Sequence, residues 1–457
     1  MSLKIVHQNM IKIKDTKSTN AKISMLAEML KNDTFRSVIT LMYDDAKHFK
    51  VNKLPNKMKV SGGLLAPSSS NHNQELFAYL EKLALQKGTS NLDKQKLCKL
   101  ASVDTETFEV VTRIINKDAK CGIGGKSINK AMSDLLFLMP YCRCSTEKAK
   151  MGNIDYERGA IGQEKADGMF DNIIIDRNGG VLFRTRNGNI IHQLDHLKEF
   201  LQKAPEKYRD TVYMGELLVS VGGKILPRKT GNGILSSCLQ NTADPKMARQ
   251  VIIKLWDAVP QKDFWAGSSE IAYTYRLSRV STFVREMATI QLFEQSPIET
   301  FWVHKIESVM LHSLEEAQAF YKRLRGEGKE GAIIKNILAK WKDNTSPDQV
   351  KMKACKDVEL RIVGWKYGKA DTRFHDCMGS VQLKSDDDLI FVSVSGFTDD
   401  ERLLDWDARI GKIATLECDG IISDKGKPGV YSLYLPRNLE MRPDRSNTDN
   451  LKSLKKR

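Results

Sequence analysis

The chain has 457 residues, 41% of them hydrophobic, with a net charge of +15, enough apolar material for about three packed domains, which excludes general disorder. No apolar run approaches the roughly 20 residues of a membrane span, and the opening MSLKIVHQNMIKIK lacks the apolar core of a secretory leader, so a cytoplasmic protein free of membrane is expected. Its eight cysteines include no Cys-x-x-Cys, the closest pair being Cys142 and Cys144, which argues against a zinc ribbon or a disulfide framework.

In chain order, residues 1–148 read as an all-α domain. NAKISMLAEMLKN (20–32), NQELFAYLEKLALQKG (73–88) and TFEVVTRIINKDAK (107–120) place apolar residues at i, i+3, i+4 and i+7. SGGLLAPSSSN (61–71) is expected to be a loop, and Leu138-Met139-Pro140 to end the last helix, because proline cannot continue one. The first 150 residues carry 25 Lys and Arg against 14 Asp and Glu, whereas residues 151–450 are balanced. A basic third joined to a neutral body fits a polyanion-binding module attached to a catalytic one. The plainer alternative is a solvated, lysine-rich helical surface.

From about residue 149 to 353 the texture becomes β-rich, with Asn-Gly and Gly-Gly turns in GAIGQEKADGMFDNIIIDRNGGVLFRTRNGNII. From 354 to 445, ELRIVGWKYG, GSVQLKS, LIFVSVSGF, KIATLECDGII and VYSLYLP give about five short strands, which suits a small barrel such as the OB-fold. A basic tail, 446–457, follows and is expected to lack fixed structure.

The chemistry concentrates around Lys165-Ala166-Asp167-Gly168, where a strand delivers a lysine into a tight turn. Such a lysine is a nucleophile once burial or a neighbouring cation has lowered its pKa. Arg186 follows in Arg-Thr-Arg-Asn-Gly-Asn, and Glu216 and Trp256-Asp257 close further β-rich runs. Glu330-Gly331 precedes an apolar run to Lys335, and Lys351 and Lys353 share one strand face, a repulsive arrangement unless an anion such as a triphosphate lies between them. His192 and His196, at helical i, i+4 spacing, lack a third ligand and are expected to be solvated or capping. Gly125-Lys126-Ser127 is not a P-loop, since the required first glycine is Lys120.

Taken with a late Arg442-Pro443-Asp444-Arg445, this ordered set resembles the nucleotidyltransferase motifs of the ATP-dependent DNA ligases. EGAIIKN, VELRIVG and the stretch from Arg228 to KLWDAVP are similar to the T-even bacteriophage type in particular. The resemblance implies a multidomain α+β protein: an all-α DNA-binding domain (1–148), an adenylation domain of two antiparallel sheets with helices (149–353), and an OB-fold β-barrel (354–445) before the tail. It implies that Lys165, assisted by Asp167, takes AMP from ATP. Glu164, Arg186, Glu216, Trp256, Lys335, Lys351, Lys353, Arg442 and Arg445 would bind the nucleotide, and Glu216 and Glu330 would hold Mg2+.

The implied partner is nicked duplex DNA, gripped by Lys120, Lys126 and Lys130 in KCGIGGKSINK, where Ser127 is a plausible helix cap, and by Arg228 and Lys229 in a basic glycine-rich loop. The enzyme would act as a monomer, in the host cytoplasm if viral. A replication clamp as partner is left open. Two positions depart from the family pattern: Phe170 stands where it usually has arginine, and the last motif ends in Arg445 instead of lysine. The rival readings are an RNA ligase, a capping-type guanylyltransferase, or a silent nick-binding protein.

Overall fold

The computed structural model describes the chain except residues 46, 52–53, 55–68, 87, 147–149, 295–299, 354–355, 370–371, 373, 424–428 and 457. The described residues gather into two compact units, residues 1–320 with 332–351, and residues 321–331 with 352–457.

The first unit begins with seven helices: α1 (Leu3–Asp15), α2 (Thr19–Met29), α3 (Asp33–Tyr43), α4 (Ser69–Leu85), α5 (Asn91–Ala101), α6 (Thr105–Ile115) and α7 (Gly125–Ala131). Ser2, Ser18, Asn32, Ser90 and Asp104 start five of them by accepting first-turn N–H groups that have no partner inside the helix. Their apolar faces close one core around Val6, Met10, Phe35, Leu80, Val110 and Ile114. Most of the expected 61–71 loop lies outside the described residues, and Ser69 already belongs to α4.

Two expectations fail at α7. The helix ends at Ala131, well before Pro140, and the Asn129 side chain bonds both the N–H and the carbonyl of Leu136, so a polar turn and not the proline stops it. Its N-cap is Gly124, without a side-chain bond, and Ser127 lies inside the helix.

Two sheets follow. One has the order β1 (Arg143–Thr146), β13 (Thr345–Lys353), β11 (Gly331–Asn336), β2 (Ala160–Lys165) and β10 (Ser308–Leu311). The other runs β4 (Val181–Thr185), β3 (Met169–Ile175), β5 (Thr211–Val221), β7 (Val251–Pro260) and β9 (Val303–Lys305), with β6 (Lys224–Ile225) beside β5. They are not purely antiparallel: β1 pairs with β13, and β7 with β9, in parallel. Along β3, Ile173 and Ile175 enter one core while Phe170 and Ile174 face another, the alternation a strand buried on both faces requires.

Between β5 and β7 the register slips: Met214 opposes Asp257 but Gly215 opposes Leu255, leaving Trp256 as the extra residue of a bulge. His192 lies ahead of the helix Asp195–Leu201, so it does not share a helix with His196. His196 Nε2 sits 3.1 Å from the Val251 carbonyl, a structural role.

In the second unit, β14 (Lys356–Tyr367), β15 (Met378–Lys384), β16 (Phe391–Val394), β17 (Ile413–Cys418) and β20 (Arg437–Met441) form a sheet in the order β16-β15-β14-β17-β20. Its pairings are antiparallel, and a hairpin of β18 (Gly420–Ser423) and β19 (Tyr431–Tyr434) accompanies it. The expected KIATLECDGII strand is thus two, and β20 is additional; the whole is consistent with an OB domain. The tail is not without fixed structure: Leu451–Lys456 is helical, and Leu451 and Leu454 enter the core formed by Leu360, Val381 and Leu416. Among the described residues no helix is long and apolar enough to cross a membrane.

Candidate active site

Lys165 ends β2, and β3 resumes four residues later. Gly168 makes the crossing possible: a Cβ there would come within 2.1 Å of the Leu217 carbonyl oxygen on β5. Its N–H donates to Glu216 Oε1 at 3.0 Å, tying the turn to β5. The β3–β5 register sets Phe170 directly opposite Glu216. Asp167 is held by Arg228, Nη1 to Oδ1 at 2.7 Å.

The two sheets bound a cavity of about 360 Å³, lined by Glu164, Lys165, Arg186, Glu216, Trp256, Lys335 and Lys351. Seven of the residues marked from sequence are therefore brought together by β2, β5, β7, β11, β13 and the turn after β4. The β7 bulge re-aims Trp256, which joins an aromatic wall: its ring lies 5.7 Å from that of Phe170, and Phe170 meets Tyr141 edge-on at 5.0 Å. Arg186 sits over the Tyr141 ring at 4.9 Å. Where the family pattern has a cation, Phe170 extends a surface on which a flat base can rest.

Deeper groups set the electrostatics. Glu164 accepts from Lys254 Nζ at 2.9 and 3.2 Å, a nearly buried pair beside the candidate nucleophile. Lys335 is only 4% exposed; it donates to the Tyr273 hydroxyl at 3.1 Å, which lies 2.7 Å from Gln163 Oε1 and 2.8 Å from the Trp256 carbonyl. Burial pushes the Lys335 pKa below the usual lysine value, against the opposing pull of Asp257. Asp257 is held by Arg276 at 2.8 and 3.2 Å. Sequence reasoning missed Tyr141, Gln163, Tyr273 and Arg276. The signal for Arg276 was a charged residue on the inward stripe of the helix Tyr273–Glu294.

The remaining candidates lie elsewhere. Glu330, Lys353, Arg442 and Arg445 belong to the second unit. There Lys353 pairs with Asp419, and Glu359 receives Arg442 at 2.6 Å and Arg445 at 3.1 Å. Lys120 and Lys130 are exposed, and Lys126 is paired with Asp343 at 2.8 Å. Arg228 and Lys229 open the helix Arg228–Leu239 and do not form the expected loop; Pro227 precedes them at the N-cap. Among the described residues no three His, Cys, Asp or Glu side chains form a ready-made metal cluster.

No family model matches the chain. It is 26% identical, over an alignment of 499 positions, to the DNA ligases of Enterobacteria phages T4 and T6, covering 98% of this chain and 97% of each of theirs. The solved structure described as Pmar-Lig_PreS3 has the same fold, with a TM-score of 0.71 at 18% identity over 95% of this chain and 99% of that one. The chain is a homologue, along nearly its whole length, of the DNA ligases of these phages.

Proposed function

We propose that the protein is an ATP-dependent DNA ligase that seals 5′-phosphate/3′-hydroxyl nicks in duplex DNA, with Lys165 as its nucleophile. One observation carries the reading: a lysine, a carboxylate, a bulge-borne tryptophan and two further lysines, from separate strands of two sheets, converge on a single cavity. Lys165 Nζ, once deprotonated, attacks the α-phosphorus of ATP; a P–N bond forms and the P–O bond to pyrophosphate breaks. The nick's 5′-phosphate oxygen then displaces the lysine from AMP. The 3′-hydroxyl, losing its proton, attacks that phosphate and expels AMP.

In this scheme Trp256 and Phe170 face the adenine, Arg186 and Glu216 the ribose, and Lys335 and Lys351 the phosphates. Glu164 orders the nucleophile's strand through Lys254, and Asp167 holds the turn. Lys353, Arg442 and Arg445 are the candidates for engaging the leaving pyrophosphate. Magnesium fits the donor set, because it commonly takes one or two carboxylates plus substrate phosphate oxygens. Glu216 lines the cavity and would hold the ion there, whereas Glu330, the other candidate, belongs to the second unit and is not among the lining residues. When bound, the ion neutralises charge on the transferring phosphoryl oxygens. The DNA is gripped by the basic helical segment, including Lys120, Lys126 and Lys130, and by Arg228 and Lys229, and the protein acts as a monomer.

The test is incubation with magnesium and α-labelled ATP or GTP, denaturing electrophoresis, and a chase with nicked DNA or nicked RNA. ATP-specific label that is absent from Lys165→Ala and discharged by the DNA nick with sealing is expected. Folded, AMP-free protein that takes no label would leave a binding protein; label from GTP would indicate a capping enzyme.

A further inference from the structure

Tyr273 opens the helix that runs to Glu294 and is wholly enclosed. Its place is set from two sides. The Thr274 N–H donates to the Ile337 carbonyl at 3.0 Å, and Arg276 donates to the Ala339 carbonyl at 3.0 Å while it holds Asp257, the residue after Trp256. The first turn of the helix is thus clamped between the segment that follows β11 and the bulge of β7. The Tyr273 hydroxyl comes to lie where side chain or backbone of β2, β7 and β11 meet.

The bonds around that hydroxyl run in one direction. Ser308 Oγ donates to the Ile306 carbonyl at 3.0 Å, and the Gln163 amide donates to Ser308 Oγ at 3.0 Å, which leaves Gln163 Oε1 as an acceptor facing Tyr273. A phenol has one proton to give, and both Gln163 Oε1 and the Trp256 carbonyl can only accept it. The hydroxyl lone pair is therefore left for Lys335. An ammonium carries three N–H groups; among the described residues the acceptor for Lys335 Nζ is the Tyr273 hydroxyl, and Nζ also lies 4.3 Å from the centre of the Tyr273 ring. A lysine this buried, with one protein acceptor, has donors left over, and it lines the cavity together with Lys165 and Lys351. Unpaired buried donors cost free energy that an anion in the cavity removes.

We propose that Tyr273 is a positioning residue for the nucleotide phosphates: its hydroxyl fixes Lys335 Nζ at the cavity wall, so that the remaining N–H groups of the lysine meet the triphosphate. The inference rests on the ligase reading and adds to it a residue that touches no substrate. The base-facing wall does not depend on this hydroxyl in the same way. Trp256 is also held by the Asp257–Arg276 pair beside it and by its ring contact with Phe170. Removing the oxygen of Tyr273 should therefore loosen the phosphate grip and leave the base platform in place.

The experiment is equilibrium dialysis of labelled ATP and of labelled adenosine, with magnesium, against the full chain carrying Lys165→Ala, which the ligase reading leaves without a nucleophile. That parent is compared with the same chain carrying Tyr273→Phe, Lys335→Met or both. Tyr273→Phe keeps the ring beside Lys335 and removes only the oxygen. It is expected to bind ATP about tenfold more weakly, to bind adenosine as the parent does, and to add no further loss once Lys335→Met is present. Parental affinity for ATP, an equal loss for adenosine, or a further loss on top of Lys335→Met overturns the inference. So does a Tyr273→Phe chain that unfolds where Lys335→Met does not, because the hydroxyl then serves the fold. In each of these cases covalent AMP on the chain with Lys165 intact, discharged by a DNA nick, leaves the ligase reading standing. A chain with Lys165 intact that takes no label overturns both.

Discussion

Asp171 is wholly enclosed on β3, and neither of its carboxylate oxygens has a hydrogen-bond partner among the described residues. Burial, opposed by the Arg184 backbone N–H and reinforced by the Glu216 charge, pushes its pKa well above the ordinary carboxylate value. The folded protein therefore keeps a proton that the unfolded chain has released. Stability associated with this group is complete below the unfolded value of 3.8 and declines as pH rises toward the folded one. Asp171→Asn removes that decline. Urea unfolding across pH 4 to 9 should show the variant gaining on the wild type as pH rises, and parallel curves would refute the buried-acid account. Lys335 shows what a sequence leaves out at this scale: its place five residues after Glu330 marks it as a candidate, but its enclosure against Tyr273 depends on a helix more than 40 residues earlier in the chain.

At the scale of elements, legibility followed the kind of signal. The helical periods of α2, α4 and α6 and the strand that delivers Lys165 were readable, because each is written in local side-chain alternation. The end of α7 was not, since a side-chain bond between Asn129 and Leu136 outcompetes the more conspicuous Pro140 as the stop. Arg228–Leu239 was hidden by two glycines, which lower helix propensity without forbidding a helix whose buried residues, Leu235 and Cys238, pack on the sheet. The Trp256 bulge is a property of paired strands and has no mark in one strand alone.

The helix Leu451–Lys456 was masked by its charge, although Leu451 and Leu454 carry the i, i+3 spacing of a short apolar stripe. Leu454 is fully buried, so Leu454→Ala should cost the second unit about 2–5 kcal/mol. Denaturant unfolding measures this directly. A change under about 0.5 kcal/mol, the size of a typical surface substitution, would mean that the tail helix is not part of the core.

At the scale of the whole molecule, the basic charge and the residues lining the candidate cavity lie in different parts of the sequence. The helical segment holds the excess of cations, yet several of them are already engaged inside the protein: Lys22 and Arg113 hold the Ala119–Gly124 loop, and Lys117 donates to the carbonyls of Leu41 and Asp44 at the end of α3. Net charge therefore overstates the number of lysines free to meet DNA, and affinity should weaken with salt less steeply than a count of cations would give.

The Glu359 junction has a consequence for the time the protein takes to form. Glu359, near the start of the second unit's sheet, exchanges backbone and side-chain bonds with Asp449 and receives Arg442 and Arg445, partners more than 80 positions along the chain. Loop closure over such distances must precede the contacts that reward it, whereas the turns of α1 to α7 form from near neighbours. Refolding followed by tryptophan fluorescence, with Trp365 and Trp406 reporting on this unit, should show its sheet completing after the helical signal has recovered.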